Sequence, residues 1–198
     1  MSGAILSAVV QLAAVLLICL LAWFGFRRPR PFREFIGLTA APWPAILIGL
    51  LVGTGVAAAA LMFPQMTELA SRQGTTGHAA ATQGGAGLLV VAAARALVQT
   101  SLTEEIFFRG LLGRNLIRRW GFAIGNTVQA VLFGAVHGLI GLVPGVGAGL
   151  ILFAIVFSGA FGWLNGWLNE RLGRASILPG WAAHGAANLA TALWIALR

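Results

Sequence analysis

Six apolar stretches constrain this chain more than any other feature: about 4–26, 44–63, 86–113, 122–142, 146–168 and 175–197. A helix needs roughly 20 apolar residues to cross the hydrocarbon core of a bilayer. No extended linker or soluble module separates them, so one integral membrane domain over 1–198 is expected. Composition points the same way. Only 9% of residues are charged, mean hydropathy is +0.89, and there is no Lys, Asp or Tyr. A soluble domain carries about 25% charged residues, so this chain cannot cover a water-facing surface. The expected fold is all-α, a polytopic bundle of about six transmembrane helices. The first stretch is too long for the apolar region of a secretion signal and has no basic segment before it, so it counts as a helix.

Arginine placement sets an expected orientation. "RRPRPFRE" (27–34), "RNLIRRW" (114–120) and "NERLGR" (169–174) follow the first, third and fifth stretches and hold nine of the thirteen arginines. By the positive-inside rule these loops are cytoplasmic, which places both the N-terminus and the C-terminus outside. The net charge of +8 is then explained by loop orientation and anionic lipid, with no nucleic-acid partner required.

Several features carry structure rather than chemistry. Gly49–Gly53, Gly134–Gly138, Gly145–Gly149 and Gly162–Gly166 have the four-residue spacing of close helix packing. Segment 64–84 is expected to be a flexible exterior loop, with His78 solvated in it. Cys19 has no second cysteine to pair with and no His nearby in sequence, so it supports neither a disulfide nor a metal site.

The exception to this avoidance of charge is "SLTEEIFFRG" (101–110), where Glu104, Glu105 and Arg109 fall inside an apolar stretch. Each ionised group at the bilayer centre costs about 2.5–3.5 kcal/mol on insertion scales. Glu105 and Arg109, four apart, share a helix face and can pair. Glu104 points about 100° away from Glu105 and is left to face something else. A purely structural ion pair accounts for Glu105 and Arg109 but leaves Glu104 unexplained.

Two more polar positions interrupt apolar helices. "FGAVHG" places Phe133 and His137 on one face of the fourth, and "HGAANL" places His184 and Asn188 on one face of the sixth. A lone intramembrane His or Asn is often only a helix–helix hydrogen bond. Depth ties these positions together. With a turn around Trp120–Gly121, Glu104 and His137 each lie some 16 residues from it, roughly 24 Å at 1.5 Å per residue. His184 and Asn188 lie about 15 and 21 Å past Arg174 on the same measure.

"EEIFFR", "FGAVH" and "HGAAN" resemble, in order, the EExxxR, FxxxH and HxxxN/B motifs of the CAAX protease and bacteriocin-processing (CPBP, Abi) family. This family of intramembrane endopeptidases includes the type II CAAX prenyl endopeptidases. The resemblance covers about 100–190 and makes that span the expected catalytic core. It implies that Glu104 is the general base activating water and that Glu105 and Arg109 are its supporting pair. It further implies that His137, His184 and Asn188 position the water or stabilise the oxyanion, with Phe133 in support. Peptide hydrolysis needs such a base near the water and donors where charge develops on the carbonyl oxygen.

One glutamate and two histidines also make a catalytic zinc set, so Glu104, His137 and His184 would be the ligands of a metallo variant. No helix-borne HExxH occurs, and the metal-free glutamic version is favoured, with no cofactor expected. The expected substrate is a membrane-anchored protein or peptide rather than a prenylated one, because the Ala/Gly/Arg-rich composition reads as bacterial. The expected location is the cytoplasmic (inner) membrane. Intramembrane Glu, Arg and His can also form the proton path of a transporter, but no inverted repeat is visible. A non-enzymatic immunity or scaffold protein is the remaining alternative. It would not need Glu104, His137 and His184 to share one water-accessible site.

Overall fold

The computed structural model describes residues 2–27, 30–72, 75–140, 142 and 146–198. Among them the fold is all-helical, without a strand. Helix α1 spans Ser2–Gly25, followed by a single turn α2 (Phe32–Phe35) and α3 (Trp43–Leu61). Two short helices, α4 (Pro64–Ala70) and α5 (Thr76–Ala81), precede α6 (Ala86–Ala93). Two π-helical segments, Ala94–Leu102 and Glu105–Gly113, continue α6 into α7 (Arg114–Ile140). Helix α8 (Ala148–Trp167) ends in a π-helical turn, Leu168–Leu172, and α9 is Leu178–Ala196.

Proline sets several of the starts. Pro44, Pro64 and Pro179 stand in the first turns of α3, α4 and α9, where an amide N–H would have no partner within the helix. Segment 64–84, expected as a flexible loop, instead contains α4 and α5. The Thr75 hydroxyl caps α5 by accepting from the His78 N–H at 3.2 Å, which gives this short helix a defined start.

Among the described residues four helical runs are long and apolar enough to cross a membrane: Ser2–Gly25, Trp43–Leu61, Ala86–Leu139 and Ala148–Leu172. The difference from six has two causes. The third and fourth expected spans form one 54-residue run, broken where Gly121 takes φ 77° and ψ 167°, a conformation open to glycine alone. Beyond that break the chain doubles back, and Gly125 packs against the backbone of Leu116 and Ile117. The last helix, α9, has 19 residues but carries His184, Asn188 and Pro179, which dilute its apolar character.

The outer surface is hydrocarbon. Leu51, Leu139 and Leu152 are 74%, 66% and 61% exposed, in company with many other large apolar side chains. Such a surface suits lipid and would be an aggregation hazard in water. The chain is a multi-pass membrane protein.

Helix α9 is central, packed against α3, α5 and the segment Ala94–Leu102. Gly49 and Gly53 let α3 approach the backbone of α9 at Pro179 and Ala183, where any side chain would collide. Gly134 and Gly138 lie against Ile155, and Gly162 and Gly166 against Phe133 and Asn126. A side chain at Gly149 would meet open space among the described residues, and Gly145 is outside them. Cys19 is fully buried in an apolar cluster with Phe35, Ile36, Ile106, Leu111 and Ile177. That cluster docks α1 and α2 onto the segment bearing the glutamates.

Candidate active site

The backbone around the glutamates is not regular α-helix. Thr100 and Thr103 turn their hydroxyls back onto carbonyls of their own segment, Thr100 onto Arg95 and Ala96, Thr103 onto Gln99 and Thr100. Such bonds compete with the α-helical ladder. Glu104 sits at the junction between the two π-helical segments and Glu105 opens the second. Single π turns recur at functional sites because they re-aim side chains.

Glu105 is fully buried and Arg109 nearly so. Arg109 Nη1 lies 3.0 Å from Glu105 Oε1, an ion pair across one turn. The N–H directions miss the carboxylate, leaving the guanidinium nitrogens without an aligned acceptor. The guanidinium instead lies over the Phe133 ring, 4.1 Å from its centroid, a cation–π contact strengthened by the absence of water. The same ring is 4.3 Å from the imidazole of His137 and edge-on to His184 at 5.9 Å. Phe133 therefore touches three of the polar residues singled out in the sequence.

Glu105 also meets His184. His184 Nδ1 is 3.2 Å from Glu105 Oε1, and an ionised carboxylate only accepts, so Nδ1 carries the proton of this bond. The Nε2 of a neutral His184 then presents a lone pair. His137 is set the same way by a different acceptor. Its Nδ1 is 2.9 Å from the carbonyl of Phe133, which again accepts only.

Both Nε2 atoms face Glu104. Oε2 of Glu104 is 3.8 Å from His184 Nε2 and 4.0 Å from His137 Nε2. These gaps are too long for direct hydrogen bonds, and among the described residues the buried Oε2 atom has no hydrogen-bond partner. The side chains of Glu104 and His137 are 22% and 29% exposed and that of His184 only 5%. The cluster therefore opens outward on the Glu104 and His137 side. Glu104 and Glu105, adjacent in sequence, occupy opposite sides of the His184 ring.

Asn188 is placed differently from the other motif residues. Its Nδ2 donates to Thr100 Oγ1 at 3.0 Å and Ser101 Oγ at 3.1 Å. It binds the turn before Glu104 and does not meet the carboxylate. Two asparagines outside any motif complete the surroundings of Glu105. Asn165 Nδ2 donates to Oε1 at 3.3 Å and Asn169 Nδ2 to Oε2 at 3.4 Å. Their four-residue spacing on an apolar helix was the only signal available in the sequence.

The donor types at Glu104, His137 and His184 are those of a zinc site, set slightly wider than a loaded site would hold them. Zinc–ligand bonds of about 2.0–2.1 Å in a tetrahedron put neighbouring donor atoms about 3.3 Å apart, nearer than the 3.8 and 4.0 Å seen here. Among the described residues no three His, Cys, Asp or Glu side chains are grouped to hold a metal ion.

Residues 86–190, more than half of the chain, match the family model described as "Type II CAAX prenyl endopeptidase Rce1-like". The matched span contains Glu104, Glu105, Arg109, Phe133, His137, His184 and Asn188. No curated protein and no solved structure gives a significant match.

Proposed function

Since the chain belongs to the Rce1-like type II CAAX prenyl endopeptidase family, we propose that it hydrolyses a peptide bond in a membrane-anchored protein or peptide, with Glu104 as the base. The observation that carries this is the convergence of two imidazole Nε2 atoms on one carboxylate oxygen, at 3.8 and 4.0 Å. A water bonded to this carboxylate lies within reach of both imidazoles. That water is the nucleophile.

The steps follow from the proton assignments. Glu104 takes a proton from the water as its oxygen bonds to the scissile carbonyl carbon. His137, carrying on Nε2 a second proton taken up from its exposed side, donates to the developing oxyanion and keeps that proton through the cycle. The proton held by Glu104 then passes to the leaving amine as the C–N bond breaks. Glu105 stays charged between Arg109 and His184, and holds the His184 ring so that its Nε2 faces the water. Asn188 keeps the preceding turn in register through Thr100 and Ser101. No metal takes part in this scheme.

The chain crosses the bacterial cytoplasmic membrane six times with both termini outside, on the strength of the arginine-rich segments. Cysteines introduced at either end should react with an impermeant reagent added outside the cell; labelling only from the cytoplasmic side would refute the orientation. A hydrophobic substrate segment reaches Glu104 laterally between helices, while water enters from the exposed side of His137. The activity is tested by co-expressing membrane-anchored candidates, bacteriocin precursors and proteins with a C-terminal sorting helix, with wild type or Glu104→Gln. The cut is then mapped by mass spectrometry. Cleavage confined to a prenylated cytosolic peptide, or equal cleavage by the variant, overturns the proposal.

A further inference from the structure

Asn165 and Asn169 lie on one face of the α8 run, four residues apart, with exposures of 0% and 3%. Both aim their Nδ2 groups at Glu105, one at each carboxylate oxygen. Asn169 does a second thing. Its Oδ1 accepts the N–H of Gly180 at 2.7 Å, in the first turn of α9, where amide donors lack an intrahelical partner. Gly180 is one helical turn before His184.

We propose that Asn165 and Asn169 are positioning residues of the hydrolytic site. Their amides fix the Glu105 carboxylate so that it receives Nδ1–H of His184 and leaves His184 Nε2 turned toward Glu104. This rests on the peptidase reading.

The torsion that turns a carboxylate about its own axis has only a broad, two-fold preference, so neighbours must set the plane of Glu105. Oε1 is contacted by Arg109 at 3.0 Å, His184 at 3.2 Å and Asn165 at 3.3 Å. Oε2 is contacted by Asn169 and packs against Gly180. Because Arg109 offers no aligned N–H, it supplies charge but little direction. Directional bonds come from the two asparagines and from His184 itself.

One amide therefore connects both ends of the Glu105–His184 bond. Asn169 holds the acceptor through Nδ2, and the helix carrying the donor through Oδ1. A general role as polar adhesive between helices would need no common target. Asn165 sharpens the point, because its buried Oδ1 has no hydrogen-bond partner among the described residues. Burying such an atom is costly, and an apolar residue would avoid that cost while losing the donor to Glu105.

The test uses the full chain in lipid nanodiscs and two readouts. Imidazole nitrogen NMR reports the His184 tautomer without any substrate, with the signals assigned by their loss in His184→Gln. Turnover of a cleaved substrate is followed in parallel. Wild type should show His184 protonated on Nδ1. In Asn169→Asp, which keeps the acceptor for Gly180, the introduced carboxylate repels Glu105 and the tautomers should mix. Its kcat should fall by about 10- to 100-fold, the equivalent of one charged hydrogen bond, with KM nearly unchanged; the buried like charge lowers the melting temperature, so rates are read well below it. As pH is lowered, the ratio of its rate to wild type should rise, because the introduced carboxyl, once protonated, can again donate to Glu105. Asn165→Leu should show the same tautomer mixing without the acid recovery.

Nε2-protonated His184 in wild type overturns the proposal. So does an unmixed Nδ1–H tautomer in both variants, or a loss of kcat that merely follows a loss of fold at every pH. If wild type cleaves no substrate, the peptidase reading fails by itself, and the tautomer measurement still decides whether the asparagines set His184.

Discussion

His184 Nδ1 lies 3.2 Å from Glu105 Oε1 while Nε2 of the same ring lies 3.8 Å from Glu104 Oε2. One imidazole thus stands between two glutamates that are neighbours in sequence. The arrangement separates their work. Glu105 is sealed in with a cation, an imidazole and two amides, whereas Glu104 has space on the side that opens outward.

Glu104 should be dispensable for folding and indispensable for cleavage. Its Oε2 makes no hydrogen bond, so Glu104→Gln removes the base and little else. Insertion, yield and melting temperature should match wild type, while cleavage of a membrane-anchored substrate falls below detection. Full cleavage by Glu104→Gln would remove the assignment.

Glu105→Ala should show the reverse balance. It leaves Arg109 buried over Phe133 without its counter-charge, and breaking a buried ion pair costs about 3–5 kcal/mol. Lower yield and a lower melting temperature than Glu104→Ala are expected, together with loss of activity. Equal stability of the two alanine variants in the same detergent would count against this division.

Metal dependence is read most directly by elemental analysis. The purified protein should contain well under one zinc per chain, and chelators should leave the cleavage rate unchanged. Stoichiometric zinc that disappears in a His137→Ala, His184→Ala double variant would replace the water-activating scheme with a metallo one.

Much of this arrangement was legible from periodicity. The four-residue spacing of Glu105 and Arg109 anticipated their 3.0 Å contact, and the turn around Trp120–Gly121 anticipated that Glu104 and His137 would come to one depth. What stayed hidden arises from contacts between elements far apart in the chain. Asn165 and Asn169 become meaningful only when α8 and the π-helical turn that ends it bring them to Glu105, and no motif marks them. In the first π-helical segment the hydroxyls of Thr100 and Thr103 bond backbone carbonyls, a competition with the helical ladder that a count at 100° per residue does not register. Segment 64–84 looked loop-like because Gly, Thr and Gln dominate it, yet Pro64 and the Thr75 cap start two short helices there. Asn188 shares a face with His184, as the spacing implied, but the partner on that face is the turn before Glu104 rather than Glu104 itself.

That last contact separates two roles for Asn188. If its amide acts through Thr100 and Ser101, then Ser101→Ala and Asn188→Ala should damage the same interaction. In a double-mutant cycle scored by melting free energy, the pair should be non-additive by about 0.5–3 kcal/mol, the range for residues in one hydrogen-bond network. Activity should fall in both single variants, because both loosen the turn that carries Glu104. A residue donating directly to the oxyanion behaves otherwise. Asn188→Ala would then lower kcat by about 100-fold or more, as loss of an oxyanion donor does, while Ser101→Ala left the rate unchanged. Additive stabilities with a kinetic defect confined to Asn188→Ala would transfer Asn188 from the supporting turn to the reacting carbonyl.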